Sequence, residues 1–464
     1  MEQGFTQGLA APVRFDAALL RRLGQQGPRY TSYPTADRFT AEFRAGDYLQ
    51  AVSNVRAMGA RNPLSLYIHI PFCESLCYYC ACNKIVTRNH AKAELYLRYL
   101  KQEIDMQADL LTGMRQVEQL HFGGGTPTYL SDAQMQQLLD HLHQRFTFAA
   151  DSIGEYSIEI DPRTVDAARV RTLRAQGFNR ISLGVQDFDA DVQAAVNRIQ
   201  PVAQTLEAIA AARAAGFRSI SIDLIYGLPR QSLASMQRTL DQVIAADSDR
   251  IAIYHYAHMP QLFKSQKLIV DAELPDAATR VAMLELCIER LCAAGYVYIG
   301  MDHFAKPGDA LAVAQAQGRL HRNFQGYSTH AEAEMVSCGV SAISAVGATY
   351  SQNEKSLEAY YEKIERGELP IARGIALSSD DLLRRIIIQM LMCNFELSVS
   401  AIEQAHPVCF ADYFAPELER LKVLQGEDLL QVDGDWITVT DKGRLVIRTI
   451  CMVFDRYLAK PKKA

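Results

Sequence analysis

An α/β protein built round a partial (β/α)6 barrel is the fold this sequence predicts. An N-terminal arm precedes the barrel, and a mainly helical, winged-helix-like C-terminal domain follows it. Two observations carry the prediction. Six short apolar segments alternate with helical stretches between residues 65 and 256, the pattern of a parallel sheet made from βα units. Glycine-rich, cysteine-bearing and charged segments then follow the strand ends, where such sheets collect their chemistry. An open doubly wound sheet is the other architecture this rhythm allows.

The elements follow in order. Residues 1 to about 60 show little periodicity, and the turn-rich aromatic stretch from Gly27 to Pro34 reads as an ordered arm. Strands are predicted at 65–70, 117–122, 156–160, 180–185, 219–225 and 250–256, with helices at 91–111, 132–146, 165–175, 203–215 and 232–246. These give a barrel over residues 61–300. Past 300 the rhythm stops and helices dominate, at 357–366 and 379–394. A hairpin with an Asp-Gly turn is predicted at 429–439, then a final helix at 442–458 and a basic tail at 460–464. Winged helices often bind DNA, but an acidic chain with an enzyme-like body favours a substrate lid or structural module over 301–464.

The 464 residues suggest more than one domain. With 49% hydrophobic and 22% charged residues, the composition is that of an ordinary globular protein. No apolar run approaches the ~20 residues that span a bilayer, so no membrane association is expected. The N-terminus lacks a signal peptide's basic start and apolar stretch, which places the chain in the cytoplasm. A net charge of −5 argues against nucleic acid as partner.

Four cysteines crowd one short loop. Cys73, Cys77 and Cys80 stand at CxxxCxxC spacing, with Cys82 just beyond. Three thiolates can hold three irons of a [4Fe–4S] cube and leave the fourth iron open to a second molecule. Structural zinc usually takes two ligand pairs separated by a longer loop, and no second pair follows here. The remaining cysteines, such as Cys287 and Cys451, sit among apolar neighbours and read as small hydrophobes.

Other polar groups mark the strand ends. His69 precedes the cysteine loop on the first strand. The second strand ends in Gly123-Gly124-Gly125-Thr126, where missing Cβ atoms let a ligand reach the main chain. Glu159 lies inside the apolar third strand and needs a cationic partner, either a ligand's ammonium or an internal arginine. Gln186 and Arg198 follow the fourth strand, and Asp223 lies on the fifth; together they suit a pocket for a polar cofactor. Arg29, Lys84, Arg88, Lys306 and Arg322 could meet an acidic substrate, and Asp302-His303 could form an acid–base or anchoring pair.

The segment Tyr67-Ile68-His69-Ile70-Pro71-Phe72-Cys73, with its cysteine loop, resembles the radical S-adenosylmethionine (SAM) enzymes. Motifs at 29–35, 82–88, 123–128, 184–188, 222–229, 300–305, 321–327 and 393–395 narrow the resemblance to the oxygen-independent coproporphyrinogen III oxidase family, over nearly the whole chain. That resemblance implies that Cys73, Cys77 and Cys80 ligate the cluster and that SAM chelates the open iron. It implies that Tyr67, Gly124 and Glu159, with Ile343 nearby, contact this SAM. A second SAM would be surrounded by Tyr79, Gly125, Thr126, Gln186, Arg198, Asp223 and Ala257. Cys82 would be required without being a ligand, and Tyr67, His69, Cys82 and Glu159 would be catalytic. Ala81 departs from the family's usual glycine.

The implied reaction begins when one electron cleaves SAM into methionine and a 5′-deoxyadenosyl radical. The radical removes a β-hydrogen from a propionate of coproporphyrinogen III, and loss of carbon dioxide and an electron leaves a vinyl group. Two propionates react. Arg29, Asp302, His303 and Arg322 are the expected substrate residues, a flavodoxin- or ferredoxin-type protein the expected electron donor, and a monomer the expected state. The rival within the resemblance is a related haem chaperone, which lacks the fourth cysteine and the N-terminal arm. A zinc-dependent DNA-binding regulator is the rival outside it.

Overall fold

The computed structural model describes residues 13, 15–24, 27–59 and 62–458. Residues 1–12 of the expected arm and the basic tail at 460–464 lie outside the described residues. The chain forms two compact units. One gathers the segments up to Arg38, Val281–Ala331 and everything from Leu377; the other comprises Phe39–Arg280 and Glu332–Ala376.

The second unit carries the barrel strands β1 (Leu64–Ile70), β2 (Gln116–Gly124), β3 (Glu155–Ile160), β4 (Arg180–Gln186), β5 (Ser219–Tyr226) and β6 (Arg250–His255). They lie side by side in chain order, each pair parallel. Leu66 faces Leu120, Ile158 faces Ile181, and Ile222 faces both Leu183 and Ile251. After the first five strands come the helices α1 (Ala91–Leu110), α2 (Asp132–Arg145), α3 (Ala167–Ala175), α4 (Val202–Ala215) and α5 (Leu233–Ala245). Local chemistry sets their ends: Ser131 and Ser232 build capping boxes, and Gly216 stops α4 at φ +81°. Every predicted strand and helix of this series is present, each end within two residues.

The sheet continues where helix was expected. β7 (Glu334–Cys338) pairs in parallel with the free side of β1, and β8 (Ile343–Val346), β9 (Thr349–Asn353) and β10 (Ile371–Ala376) follow antiparallel. These strands carry buried polar residues such as Ser337, Ser344, Gln352 and Asn353, which hide the apolar alternation that marks a strand. The helix Ala45–Ala57 also stands within the supposed arm, burying Tyr48, Ala51, Val52 and Val55.

In the other unit, the helix Ser379–Asn394 packs in a core with Tyr30, Tyr33, Phe410, Phe414 and Phe454. The hairpin joins Leu430–Asp433 to Trp436–Val439, with Glu396–Ser398 as a third strand. Its two-residue loop is Gly434-Asp435, one position beyond the expected Asp-Gly pair. The predicted final helix breaks into Asp441–Arg444, Ile447–Cys451 and the 3-10 turn Met452–Phe454. β-Branched Val446, Ile447, Thr449, Ile450 and Val453 weaken helix there.

One buried network braces the barrel beneath β1. Glu103 on α1 is fully buried and accepts from Gly339 N (2.6 Å), Asn353 Nδ2 (2.6 Å) and Tyr360 Oη (2.6 Å). Tyr96, about two turns earlier on the same face of α1, donates to the carbonyl of His69 at 2.7 Å. Gly339, at φ +108°, lies so close to Tyr96 and His69 that a Cβ would collide with both. Burial pushes Glu103 up to about 7, from an ordinary 4.5. A folded-state value above the unfolded one means that this group's stabilisation is complete below about 4.5 and fades as pH rises through about 7. Glu103→Gln should remove that part of the pH dependence and, by turning amide hydrogens toward donors, cost about 1–3 kcal/mol. Thermal unfolding of both proteins at pH 5.5 and 8 measures this.

Candidate functional site

Beyond Ile70 the chain turns through Pro71 and Phe72 into the cysteine loop. Gly125 N donates to Ile70 O and Thr126 N to Phe72 O, both at 2.8 Å, so the end of β2 holds the loop's root. A side chain at Gly125 would strike the carbonyls of Pro71 and Phe72, and one at Gly124 (φ +117°) would strike the His69 ring. Gly124 and Gly125 are therefore required by close packing against the end of β1 and the root of the loop, whereas a Cβ at Gly123 would press on the Glu159 carboxylate of β3.

At the C-terminal ends of β1 to β5 opens a cavity of about 310 Å3. Cys73, Cys77, Cys80 and Cys82 line it, with Tyr79, Gly124, Gly125, Thr126, Glu159, Gln186, Arg198 and Asp223. Lys84 and Arg88 also reach it, Lys84 donating to the Cys80 carbonyl at 2.9 Å. Tyr67 and His69 stand behind this lining: Tyr67 Oη meets His69 Nδ1 at 3.1 Å, and His69 Nε2 meets Asn83 O at 3.2 Å. Ala257 accepts from Gln266 at 3.1 Å, and Gln266 also donates to Tyr79 O at 3.0 Å. Ile343 opens β8, where its carbonyl accepts from Ser337 at 2.6 Å.

Within the protein the side-chain partner of Glu159 is a histidine rather than the arginine considered from the sequence. His121 Nε2 lies 3.0 Å from Oε1, and Gly124 N donates to Oε2 at 3.3 Å. His121 is itself set by Ser157 Oγ at 2.8 Å and stacks on Tyr67. Against the pull of burial, these contacts hold Glu159 below the usual carboxylate range. Asp223 goes the other way: burial, then the charge of Glu159, pushes it up to about 7. Near neutral pH Glu159 thus carries a full carboxylate charge, while Asp223 across the cavity is partly protonated. An ammonium and ribose hydroxyls are the ligand groups such a pair accepts.

The thiols differ too. The neighbouring Cys82 thiol, followed by Lys84, brings Cys80 down to about 6, while burial raises Cys73 to about 11. Among the described residues no three ligand side chains close round a single-ion site. Cys73, Cys77 and Cys80 instead surround one cavity, a donor set that fits a multi-iron cluster.

The proposed substrate residues meet one another in the other unit. Arg29 pairs with Asp302. Arg322 donates from Nε to Arg29 O at 3.1 Å and lies 4.6 Å over the Tyr327 ring, which also meets His303 edge-on. Sequence reasoning did not single out His121, Asn83, Asp161 or Arg163. His121 lies on the predicted second strand, but its partnership with Glu159 depends on the register of β2 against β3.

The Radical SAM superfamily model matches residues 67–243, and the HemN C-terminal domain model matches 377–446. The oxygen-independent coproporphyrinogen III oxidase of Pseudomonas aeruginosa is 48% identical over 449 residues, 96% of each chain. That of Escherichia coli is 49% identical over 446 residues, again 96% of each. The chain belongs to the oxygen-independent coproporphyrinogen III oxidase family. The solved structure of coproporphyrinogen III oxidase from Escherichia coli, described as a radical SAM enzyme, superposes with a TM-score of 0.91 at 48% identity, covering 96% of this chain and all of that one. Membership in the oxidase family brings with it a [4Fe–4S] cluster and SAM, and the three-thiol cavity is the donor set that fits them. No helix among the described residues is long and apolar enough to cross a membrane.

In the cluster-free protein, Cys80 should alkylate at least about tenfold faster than Cys73 at pH 7, because the thiolate is the nucleophile. Cys82→Ala should slow Cys80 by removing its donor. Mass-spectrometric timing of iodoacetamide labelling checks both.

Proposed function

We propose that this protein converts two propionate side chains of coproporphyrinogen III to vinyl groups without oxygen, yielding protoporphyrinogen IX. The observation that carries the reading is the cavity in which Cys73, Cys77 and Cys80 face an ionised Glu159, in a chain 48–49% identical to oxidases of that name. When bound, the cluster supplies the electron that cleaves SAM into methionine and a 5′-deoxyadenosyl radical. Each propionate then gives up one hydrogen atom, carbon dioxide and one further electron.

The chain's own residues hold and orient. Cys73, Cys77 and Cys80 bind the cluster, leaving one iron for SAM. Glu159, fixed by His121 and Gly124, accepts the SAM ammonium, with Tyr67, Gly124 and Ile343 along the same ligand. Tyr79, Gly125, Thr126, Gln186, Arg198, Asp223 and Ala257 take a second SAM. His69, whose proton burial drives off, stays neutral and keeps the Tyr67 hydroxyl in place. Cys82 acts beside the cluster without ligating it. Arg322 is 2% exposed, and its Nη1 has no hydrogen-bond partner among the described residues. A buried guanidinium so placed suits a propionate carboxylate, with Arg29, Asp302 and His303 beside it. A flavodoxin- or ferredoxin-type donor, a cytoplasmic location and a monomeric state complete the proposal. Cys82 and the 29–35 segment favour it over a haem chaperone.

The test is anaerobic turnover: iron and sulfide reconstitution, then reductant, SAM and coproporphyrinogen III, following 5′-deoxyadenosine and protoporphyrinogen IX together. Both should appear; haem binding without decarboxylated product would hand the reading to the chaperone. Ser at Cys73, Cys77 or Cys80 should abolish iron uptake, whereas Cys82→Ser should keep iron and lose product. Glu159→Gln, by losing a charged hydrogen bond worth about 1.5–3 kcal/mol, should weaken SAM binding roughly 10- to 100-fold. Arg322→Ala should raise KM for coproporphyrinogen more than it lowers kcat.

A further inference from the structure

We propose that Arg163 sets the reduction potential of the cluster, acting on the sulfur of Cys77 while Asp161 holds it in place. The inference rests on the cluster reading of the cavity and assigns a role to a residue the reaction itself does not require.

Arg163 lies in the 3-10 turn Pro162–Thr164 that leaves β3. Asp161 caps that turn and grips the guanidinium from both oxygens: Oδ1 accepts from the Arg163 backbone N and from Nε, each at 3.0 Å, and Oδ2 accepts from Nη2 at 2.6 Å. Nη2 also faces Cys77 Sγ at 3.6 Å. Arg198, which follows the neighbouring strand β4, reaches the same sulfur, its Nη1 lying 3.4 Å from Sγ and 3.0 Å from Asp161 Oδ2. Asp161 is largely buried, and the Arg163 side chain is only 20% exposed. Two guanidiniums and one carboxylate thus surround one thiolate, leaving an excess positive charge beside it. Arg198 alone would neutralise Asp161; Arg163 is the excess.

Reduction adds one electron to the cluster, taking its core from 2+ to 1+, with no bond made or broken and no proton moved. The electron comes from the low-potential one-electron donor that the reaction needs in any case. A fixed positive charge and an N–H···S hydrogen bond both favour the more negative, reduced state. Placed next to the buried Cys77 sulfur, they are weakly screened. Arg163 therefore makes the cluster easier to reduce, and Asp161 keeps the guanidinium aimed at sulfur rather than at solvent.

The test is an EPR-monitored redox titration of the reconstituted full-length protein without SAM. At a fixed ambient potential, Arg163→Gln should lower the ratio of reduced to oxidised cluster about tenfold, a midpoint about 59 mV more negative for one electron. Arg163→Lys, which keeps the charge but not the fork, should recover part of the shift. An unchanged midpoint in Arg163→Gln with a full iron complement overturns the inference, and a role confined to supporting the turn predicts that result. If Arg163→Gln fails to assemble a cluster, 15N-arginine labelling of the unmodified protein decides. Two arginine nitrogen couplings to the reduced cluster support the inference, and one alone overturns it. Failure of the unmodified protein to take up iron would sink the cluster reading itself, a result distinct from an iron-loaded protein whose potential does not move.

Discussion

The parallel register of β1 to β5 is the constraint on which the site depends. Because all five strands run the same way and in chain order, their C-terminal ends fall along one edge. Each end then contributes one element of the cavity: the thiols after β1, the glycines of β2, Glu159 of β3, Gln186 of β4 and Asp223 of β5. A slip of one residue in any pairing would turn a lining side chain to the opposite face. The buried apolar residues Leu66, Leu120, Ile158, Ile181 and Ile222, on the face of the sheet opposite the cavity, fix that register.

Within this frame, charge along the cavity is managed by pairing across neighbouring strands. Glu159 keeps its charge because the β2 histidine and a glycine N–H point at it, whereas burial and the charge of Glu159 push Asp223, which accepts from a serine hydroxyl at 3.0 Å, toward neutrality. Asp161 is held ionised, against its burial, by Arg198 and Arg163. Three carboxyl groups in one cavity thus have distinct tasks. That separation follows from the partners each strand presents and not from residue type.

Much of this was legible in the sequence because β1 to β6 and their helices are regular: apolar strands, polar turns and capped helices agree with one another. The cysteine loop was legible because its ligands are adjacent in the chain. β7 and β9 were not, since Ser337, Gln352 and Asn353 are buried with their side chains hydrogen-bonded, so their strands lack the apolar signature. The helix Ala45–Ala57 did leave a signal in the spacing of Tyr48, Val52 and Val55. What no linear pattern could supply was contact between distant positions: His121 with Glu159, Arg163 with Cys77, and Arg29 with Asp302, the last separated by 273 residues.

The central claim is that three thiolates and an ionised carboxylate share one cavity so that a cluster with an open iron can receive SAM. EPR of the anaerobically reduced, reconstituted protein, recorded with and without SAM, tests it most directly. With about four irons per chain, the cluster signal should change shape when SAM is added, and at a SAM concentration near the unmodified protein's Kd that change should be largely lost in Glu159→Gln. An identical signal with and without saturating SAM would mean that the cluster has no open iron for SAM, and would contradict the claim.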